Sequence, residues 1–217
     1  MRYLALGDSY TVGEGVGAGE SLPACIKRRM FVTPSAARGP KLIQAQAPSL
    51  AALPQGDNTF EIIARTGWTT AELAAAIRRE NPPADHDLVT LLIGVNNQYR
   101  GLPLEEYRLE FAQLLATAVR LARERSRRVV VLSIPDWGVT PFAEGRGRER
   151  IAIEIDRLND AAHGITTRAG AAWVDVTADS RAHPADLVAD GLHPSAAAYE
   201  RWAQLALPAV LAALADA

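Results

Sequence analysis

Serine, histidine and aspartate stand at the two ends of the chain in short motifs that could perform acyl transfer. Ser9 lies in GDSY, and Asp190 and His193 lie in DGLHP. A serine hydroxyl is a poor nucleophile at neutral pH and needs a base, usually histidine. A carboxylate three residues before that histidine can accept the imidazole N–H and stabilise the imidazolium. The simpler alternatives are a serine that only caps a helix and a local D-x-x-H turn.

Acyl transfer also requires hydrogen-bond donors for a developing oxyanion. The candidates are the backbone N–H groups of Ser9 and Gly67 and the side chain of Asn96. Loss of one such donor typically lowers turnover by about 100- to 1,000-fold. Glycine allows the backbone to approach a ligand closely. Alternatively, Gly67 belongs to an ordinary turn and Asn96 caps a backbone group in a loop.

The other histidines and the single cysteine fit structural roles better. His86 precedes the third predicted strand and so lies at the opposite edge of the sheet, whereas His163 falls in a helical pattern. His183 follows the fifth strand and is a weaker rival to His193 as the base. Cys25 is expected to be a partly buried structural thiol. A lone cysteine excludes an intrachain disulfide and any cysteine-based metal site, and it suits a reducing compartment.

Apolar strands alternate with amphipathic helices along the chain. The predicted strands are Tyr3–Leu6, Phe60–Ala64, Leu88–Ile93, Arg128–Ser133 and Ala171–Val176. The predicted helices are Leu22–Met30, Thr69–Arg79 with Thr69 and Glu72 as a capping box, Leu104–Leu121, Ile151–Ile165, and Ser195–Leu214 with a possible kink at Pro208. Continuous apolar strands separated by helices indicate a parallel sheet buried on both faces. We therefore predict one α/β domain over residues 1–217, a three-layer α/β/α sandwich with five parallel strands.

This topology brings distant residues together. In an open parallel sheet, ligands bind outside the carboxyl ends of the strands. Ser9, Gly67, Asn96 and His193 each follow a predicted strand, so they should meet at that edge. Residues that follow the same strand ends and could line a substrate pocket are Tyr10, Trp68, Asn97, Tyr99 and Trp137. The alternative for these five is ordinary packing within loops.

Composition narrows the classes of function and leaves one segment unassigned. Hydrophobic residues make up 48% of the chain, charged residues 22%, and the net charge is −2, which gives no electrostatic footprint for nucleic acid. Neither a signal peptide nor a run of 18 apolar residues is present, so we expect a cytoplasmic protein without a membrane span.

Residues 21–58 contain five prolines and show weak helical periodicity. They are expected to be largely loop after a short helix.

Four segments taken together resemble the SGNH (GDSL-type) hydrolase superfamily. They are GDSY with Ser9, ARTGWTT with Gly67, GVNN with Asn96, and DGLHP with Asp190 and His193. They occur in order across residues 7–194. TGWTT, LIGVNNQYRG and SIPDWGVTPFA resemble a bacterial branch of GDSL-like lipases and acylhydrolases.

The sequence departs from the family pattern at three places. Tyr10 replaces a leucine, Asn97 replaces an aspartate, and residues 21–58 are longer and richer in proline than the family's helix there. Because of the third departure, the resemblance does not predict the shape of the acyl pocket.

The resemblance implies a flavodoxin-like fold and hydrolysis of esters or thioesters without a metal or other cofactor. Ser9 would form the acyl-enzyme, His193 and Asp190 would complete the triad, and Ser9, Gly67 and Asn96 would form the oxyanion hole. The expected partner is a small-molecule ester, with short acyl chains favoured. The alternatives are a carbohydrate O-acetyl esterase with the same residues and a non-catalytic ligand-binding member of the fold.

A phosphate-binding domain is a more distant alternative, because the glycines of TVGEGVGAG match neither a P-loop nor a dinucleotide fingerprint. The sequence leaves the acyl-chain length, the alcohol and the oligomeric state open.

Overall fold

Five parallel strands form one sheet in the order β2-β1-β3-β4-β5. The computed structural model describes residues 1–31 and 59–215. The strands are β1 (Arg2–Gly7), β2 (Thr59–Ala64), β3 (Leu88–Leu92), β4 (Val129–Leu132) and β5 (Ala172–Val174). Each prediction holds within one residue except that for β5, which ends two residues early. It ends there because the N–H groups of Val176 and Thr177 bond the Ser133 hydroxyl instead of a strand, at 2.8 and 3.0 Å.

The described helices cover both faces of the sheet. They are α1 (Ser9–Val12), α2 (Leu22–Phe31), α3 (Thr70–Glu80), α4 (Val95–Tyr99), α5 (Leu104–Leu121), α6 (Arg148–Ala169), α7 (Thr177–Ala182) and α8 (Ala196–Ala215). Helices α2 and α8 pack together, and α3 and α6 pack on either side of α5. The chain leaves β1 towards β2 and then returns past β1 towards β5. Right-handed crossovers therefore place α2 on the face opposite α3, α5 and α6.

The predicted amphipathic patterns agree with the structure. Strands β3 and β4 are buried along their whole length, as continuous apolar runs require, whereas the edge strand β2 is half-exposed. Helices α5 and α6 bury the faces that the sequence predicted. The capping box of α3 is present, with Thr69 and Glu72 bonding each other's backbone N–H groups. Helix α8 continues through Pro208. Of the expected loop in 21–58, residues 32–58 lie outside the described part of the chain.

The strand order creates the crevice at which such folds bind ligands. This order is the flavodoxin-like one, in which the chain reverses direction between β1 and β3. The segments after these two strands, α1 and α4, begin with Ser9 and Val95. Residues 9 and 96 therefore lie on the two sides of the switch point.

Asp8 connects β1 to α1 and is fully buried. Its Oδ1 accepts the Tyr10 N–H at 3.1 Å and caps α1, while its Oδ2 has no hydrogen-bond partner among the described residues. Burial raises the pKa of this carboxyl group from its usual value of 3.8 to about 7, although backbone N–H groups of Tyr10 and Gly94 act in the opposite direction.

Because burial raises the pKa of Asp8, the free energy of unfolding should depend on pH. Between pH about 4 and about 7 the folded chain keeps a proton on Asp8 that the unfolded chain has released. The Asp8 contribution to the free energy of unfolding therefore falls as pH rises through that range. Asp8→Asn keeps an acceptor for Tyr10 and should remove this contribution. Urea unfolding of both proteins at several pH values measures it, and parallel curves for the two proteins would contradict it.

Asn97 and Thr70 join three helices through hydrogen bonds, of which the two between these residues are buried. Its Oδ1 accepts the Thr70 N–H at 3.1 Å, and its Nδ2 donates to Thr70 Oγ1 at 2.6 Å. The Thr70 hydroxyl in turn donates its proton to Glu110 on α5. Position 97 must therefore supply a donor as well as an acceptor. This requirement is met by an amide and not by an ionised carboxylate.

Replacing Asn97 by aspartate should destabilise the fold. The new carboxylate would face a Thr70 oxygen whose only proton is donated to Glu110, so a buried acceptor would lose its donor. We expect Asn97→Asp to lower the free energy of unfolding by about 1–3 kcal/mol. Adding Glu110→Gln should recover much of this loss, since the Thr70 hydroxyl could then donate to residue 97. Chemical denaturation of the two single variants and the double variant measures the coupling, and additive effects would contradict this arrangement.

Candidate active site

Ser9 lies at the start of α1, two residues after the end of β1, an interior strand of the sheet. Gly7 makes the sharp turn possible, since a Cβ there would lie 2.0 Å from Thr11 Oγ1 and 2.4 Å from the Leu92 carbonyl oxygen. Asp8 then caps the helix and Ser9 follows, 5% exposed, in the wall of a cleft. Each residue of the GDS motif thus has a separate task, and the serine faces the open space.

Asp190 and His193 form a close pair on the loop before α8. Asp190 Oδ2 lies 2.6 Å from His193 Nδ1, and its Oδ1 accepts the backbone N–H groups of Leu192 and His193 at 2.8 and 2.9 Å. Partial burial acts to raise the pKa of Asp190, but these hydrogen bonds outweigh it and lower the pKa, so the carboxylate stays ionised. A proton on Nδ1 leaves His193 Nε2 as an acceptor.

Ser9 and His193 line the same cleft but are not directly bonded. The cleft has a volume of about 210 Å³. Among the described residues no hydrogen bond joins the Ser9 hydroxyl to the imidazole. Such bonds are often long in unliganded sites and shorten when substrate binds.

Gly67 belongs to a tight turn between β2 and α3. The Trp68 N–H donates to the Arg65 carbonyl at 3.2 Å, and Gly67 has φ +88°, the value that a type II turn needs at its third residue. The sign of this angle decides which face of the turn presents the Gly67 N–H. Gly67 lines the cleft together with its neighbour Thr66.

Asn96 approaches the same cleft from α4. Its Nδ2 donates to the Trp68 carbonyl at 2.9 Å, which uses one of its two amide N–H groups. The other N–H makes no hydrogen bond to a described residue, and Asn96 lines the cleft. The structure thus brings together Ser9, Gly67, Asn96 and His193, as the strand order predicts.

The remaining cleft walls are mainly aromatic. Tyr99, Trp137 and Phe142 contact one another with ring centroids 5.6–6.4 Å apart. Trp137 Nε1 donates to Gln98 Oε1 at 2.7 Å, which fixes the indole. The sequence interpretation missed several lining residues: Thr66, Val95, Phe142 and Leu192. All four lie within or beside the motifs quoted above, so proximity to a motif was the available signal.

Tyr10 packs beside the proposed base. Its ring meets the His193 imidazole edge-on at 5.9 Å and the Trp202 indole at 6.2 Å, and only 3% of Tyr10 is exposed. Tyr10 therefore connects the histidine loop to α8.

Two residues predicted to line the pocket lie outside it. Asn97 is fully buried and bonds Thr70, whereas Trp68 contributes its carbonyl to Asn96 while its side chain packs against the hydrophobic core. Tyr10, Tyr99 and Trp137 do line the cleft.

The other histidines lie away from the cleft. All four histidines are in the described ranges, and only His193 lines it. His86 is buried and bonds the Leu121 carbonyl at 3.3 Å, His163 stacks on Trp173, and His183 pairs with Asp179 at 3.2 Å. Cys25 is buried as well. Within residues 1–31 and 59–215, no three His, Cys, Asp or Glu side chains are grouped to hold a metal, and no helix could cross a membrane.

The fold is shared with solved esterases. The lipase/acylhydrolase from Enterococcus faecalis is 20% identical, with a TM-score of 0.64 over 97% of this chain and 96% of that one. Axe2, an acetyl-xylooligosaccharide esterase from Geobacillus solved as a variant, is 20% identical, with a TM-score of 0.64 over 96% and 93%. The psychrotrophic esterase EstA from Pseudoalteromonas sp., in a form inhibited by monoethylphosphonate, is 15% identical, with a TM-score of 0.62 over 96% of each chain.

Sequence comparison gives the family. No curated protein matches the chain. The family model described as GDSL-like lipase/acylhydrolase matches residues 5–201, a span that contains every residue of the cleft described above. The chain therefore belongs to the GDSL-like lipase/acylhydrolase family, whose members hydrolyse carboxylic esters.

Proposed function

We propose that the protein is a serine esterase that hydrolyses short-chain acyl esters through an acyl-enzyme on Ser9. The observation that supports this most is the 2.6 Å contact between Asp190 and His193 Nδ1 at a cleft that Ser9 also lines. That contact holds the tautomer in which Nε2 can take the serine proton.

The first half of the reaction acylates the enzyme. Ser9 Oγ attacks the ester carbonyl carbon while its proton moves to His193 Nε2, and Asp190 stabilises the imidazolium. The negative charge on the former carbonyl oxygen is shared by the N–H groups of Ser9 and Gly67 and the Asn96 amide. When the intermediate collapses, the C–O bond to the alcohol breaks and His193 returns its proton to the leaving oxygen.

The second half releases the acid. His193 takes a proton from a water molecule, which attacks the acyl carbon of the Ser9 ester. The same three donors stabilise the second oxyanion, and the proton returns to Ser9 Oγ as the acid departs. Asp8 orders the turn and takes no part in proton transfer, since it is fully buried, caps α1 and does not line the cleft.

The size and lining of the cleft favour a substrate with a small acyl group. Its volume is about 210 Å³ and its walls are aromatic. A carbohydrate acetyl ester is the second candidate, because Tyr99 is 51% exposed and presents its ring at the cleft, where a sugar could stack. Axe2, which shares the fold, is an acetyl-xylooligosaccharide esterase. A single domain and a cytoplasmic location both remain predictions.

Removal of the nucleophile or the base tests the mechanism. With p-nitrophenyl acetate, we expect Ser9→Ala and His193→Ala to lose about 10³-fold or more of kcat, because the triad acts as a unit. A fluorophosphonate should label the wild type and leave Ser9→Ala unlabelled, with circular dichroism showing that the variants fold. Full activity in folded Ser9→Ala would contradict the proposal. A wild type that neither turns over esters nor reacts with the probe would favour a ligand-binding protein.

The conformation of Gly67 provides an independent test. A Cβ at this position meets nothing closer than 3.9 Å, so Gly67→Ala acts through the backbone rather than by a clash. Relaxation to negative φ would turn the residue 67 N–H away, and we expect kcat to fall about 100-fold. Gly145→Ala is the matched control, since Gly145 also has positive φ (+73°), has no atom within 4 Å of an added Cβ, and lies outside the cleft lining. Equal activity loss in both variants would argue against a role for the Gly67 N–H.

A panel of esters distinguishes the two candidate substrates. We expect kcat/KM to decline from acetyl and butyryl to octanoyl esters, because the cleft is small. Acetylated xylo-oligosaccharides serve as the competing arm. A kcat/KM for them well above that for simple alkyl acetates would assign the protein as a carbohydrate esterase, and a maximum at long acyl chains would contradict both candidates.

A further inference from the structure

The turn that contains Gly67 has little support from the sheet. It follows β2, which among the described strands is an edge strand paired only with β1. A donor in an oxyanion hole must nevertheless hold its position closely, because a displacement of about 1 Å can reduce the rate about 100-fold. The contacts that hold the turn must therefore come from other elements.

Arg100, at the carboxyl end of α4, makes one such contact. Its Nη2 donates to the Gly67 carbonyl. The same guanidinium pairs with Glu72, with Nη2 3.3 Å from Oε2. Glu72 is itself held in the capping box of α3 through the Thr69 N–H at 2.8 Å. Arg100 thus connects the Gly67 peptide to the beginning of α3.

Arg100 and Asn96 act from one face of α4. They are four residues apart and so lie one turn above each other on the helix. Asn96 donates to the carbonyl of Trp68, and Arg100 donates to the carbonyl of the preceding residue, Gly67. One short helix therefore contains one proposed oxyanion donor and also fixes the peptide next to the other. The relative position of the two donors depends on this pair of bonds.

We propose that Arg100 is a positioning residue for catalysis, which fixes the Gly67 turn against α4 so that the Gly67 and Asn96 donors meet the same oxyanion. This inference rests on the proposed esterase mechanism. Arg100 does not line the cleft and is not expected to touch the substrate.

The contacts of Arg100 should affect the position of the turn more than the stability of the fold. The side chains of Arg100 and Glu72 are 45% and 43% exposed, and ion pairs at that exposure contribute little to folding. The turn also has its own Trp68–Arg65 bond and a bond from the Thr66 hydroxyl to Glu14. Loss of Arg100 should therefore leave the protein folded while the turn moves relative to Asn96.

Kinetics of Arg100 variants test the proposal. With p-nitrophenyl acetate we expect Arg100→Ala to lower kcat about 10- to 100-fold, with KM within about twofold and Tm nearly unchanged. Arg100→Lys should recover part of the rate, because an ammonium can still donate to the Gly67 carbonyl. Free guanidinium ion should partly restore Arg100→Ala, whereas sodium chloride at equal ionic strength should not. An alkyl boronic acid, which mimics the tetrahedral intermediate, should bind Arg100→Ala more weakly by a factor close to the loss in kcat/KM.

Two further variants complete the experiment. Arg108→Ala is the matched control, since Arg108 is an exposed arginine of α5 paired only at 3.8 Å with Glu105, and its kcat should equal that of the wild type. Glu72→Gln keeps the helix cap but weakens the ion pair, so a drop in kcat of about two- to fivefold supports the proposal even where Arg100→Ala fails to fold. An unchanged kcat in folded Arg100→Ala, or a loss that Arg108→Ala reproduces, overturns it. Full activity in Ser9→Ala would instead overturn the underlying mechanism, so the two failures are distinguishable.

Discussion

The site depends on the order of three parallel strands. With β1 between β2 and β3, the segment after β1 lies between the segments after its two neighbours. The nucleophile candidate Ser9 therefore stands between Gly67, which follows β2, and Asn96, which follows β3. Parallel strands all end at one edge, so the histidine loop after β5 also reaches that edge. Among the possible orders of β1, β2 and β3, only the one with β1 in the middle places Ser9 between the segments that contain Gly67 and Asn96.

Buried hydrogen bonds then convert this rough proximity into a defined geometry. Asp8 caps α1 at Tyr10, Asn96 bonds the Trp68 carbonyl, and Asn97 bonds Thr70 on both its main chain and its side chain. The first bond joins the end of β1 to α1, and the others join α4 to the turn before α3 and to the first residue of α3. Most of these groups are out of contact with solvent. An unsatisfied partner in such a place costs about 1–3 kcal/mol, which favours one arrangement over its neighbours. The same bonds hold the loops in place before any substrate arrives.

Much of the architecture could be predicted because burial constrains composition directly. Strands β3 and β4 are buried along their whole length, so their sequences are apolar except for Thr90, whose hydroxyl bonds Tyr3. Helix α3 begins with a capping box that can be read from the sequence. Side-chain direction in the loops was harder. The sequence did not show that GVNN begins a short helix, in which neighbours point about 100° apart, so Asn96 faces the cleft and Asn97 faces Thr70. The contact of Arg100 could not be predicted for a related reason. Its partner is a backbone carbonyl 33 residues away, and the sequence around an exposed arginine does not indicate such a contact.

In the proposed mechanism the acyl group passes through Ser9. The most direct measurement is mass analysis of the peptide that contains Ser9 after the enzyme has turned over p-nitrophenyl acetate and been quenched rapidly in acid. The account predicts that a fraction of this peptide gains the mass of one acetyl group, and that the gain disappears in Ser9→Ala. An active enzyme whose acyl group appears on another residue would contradict it.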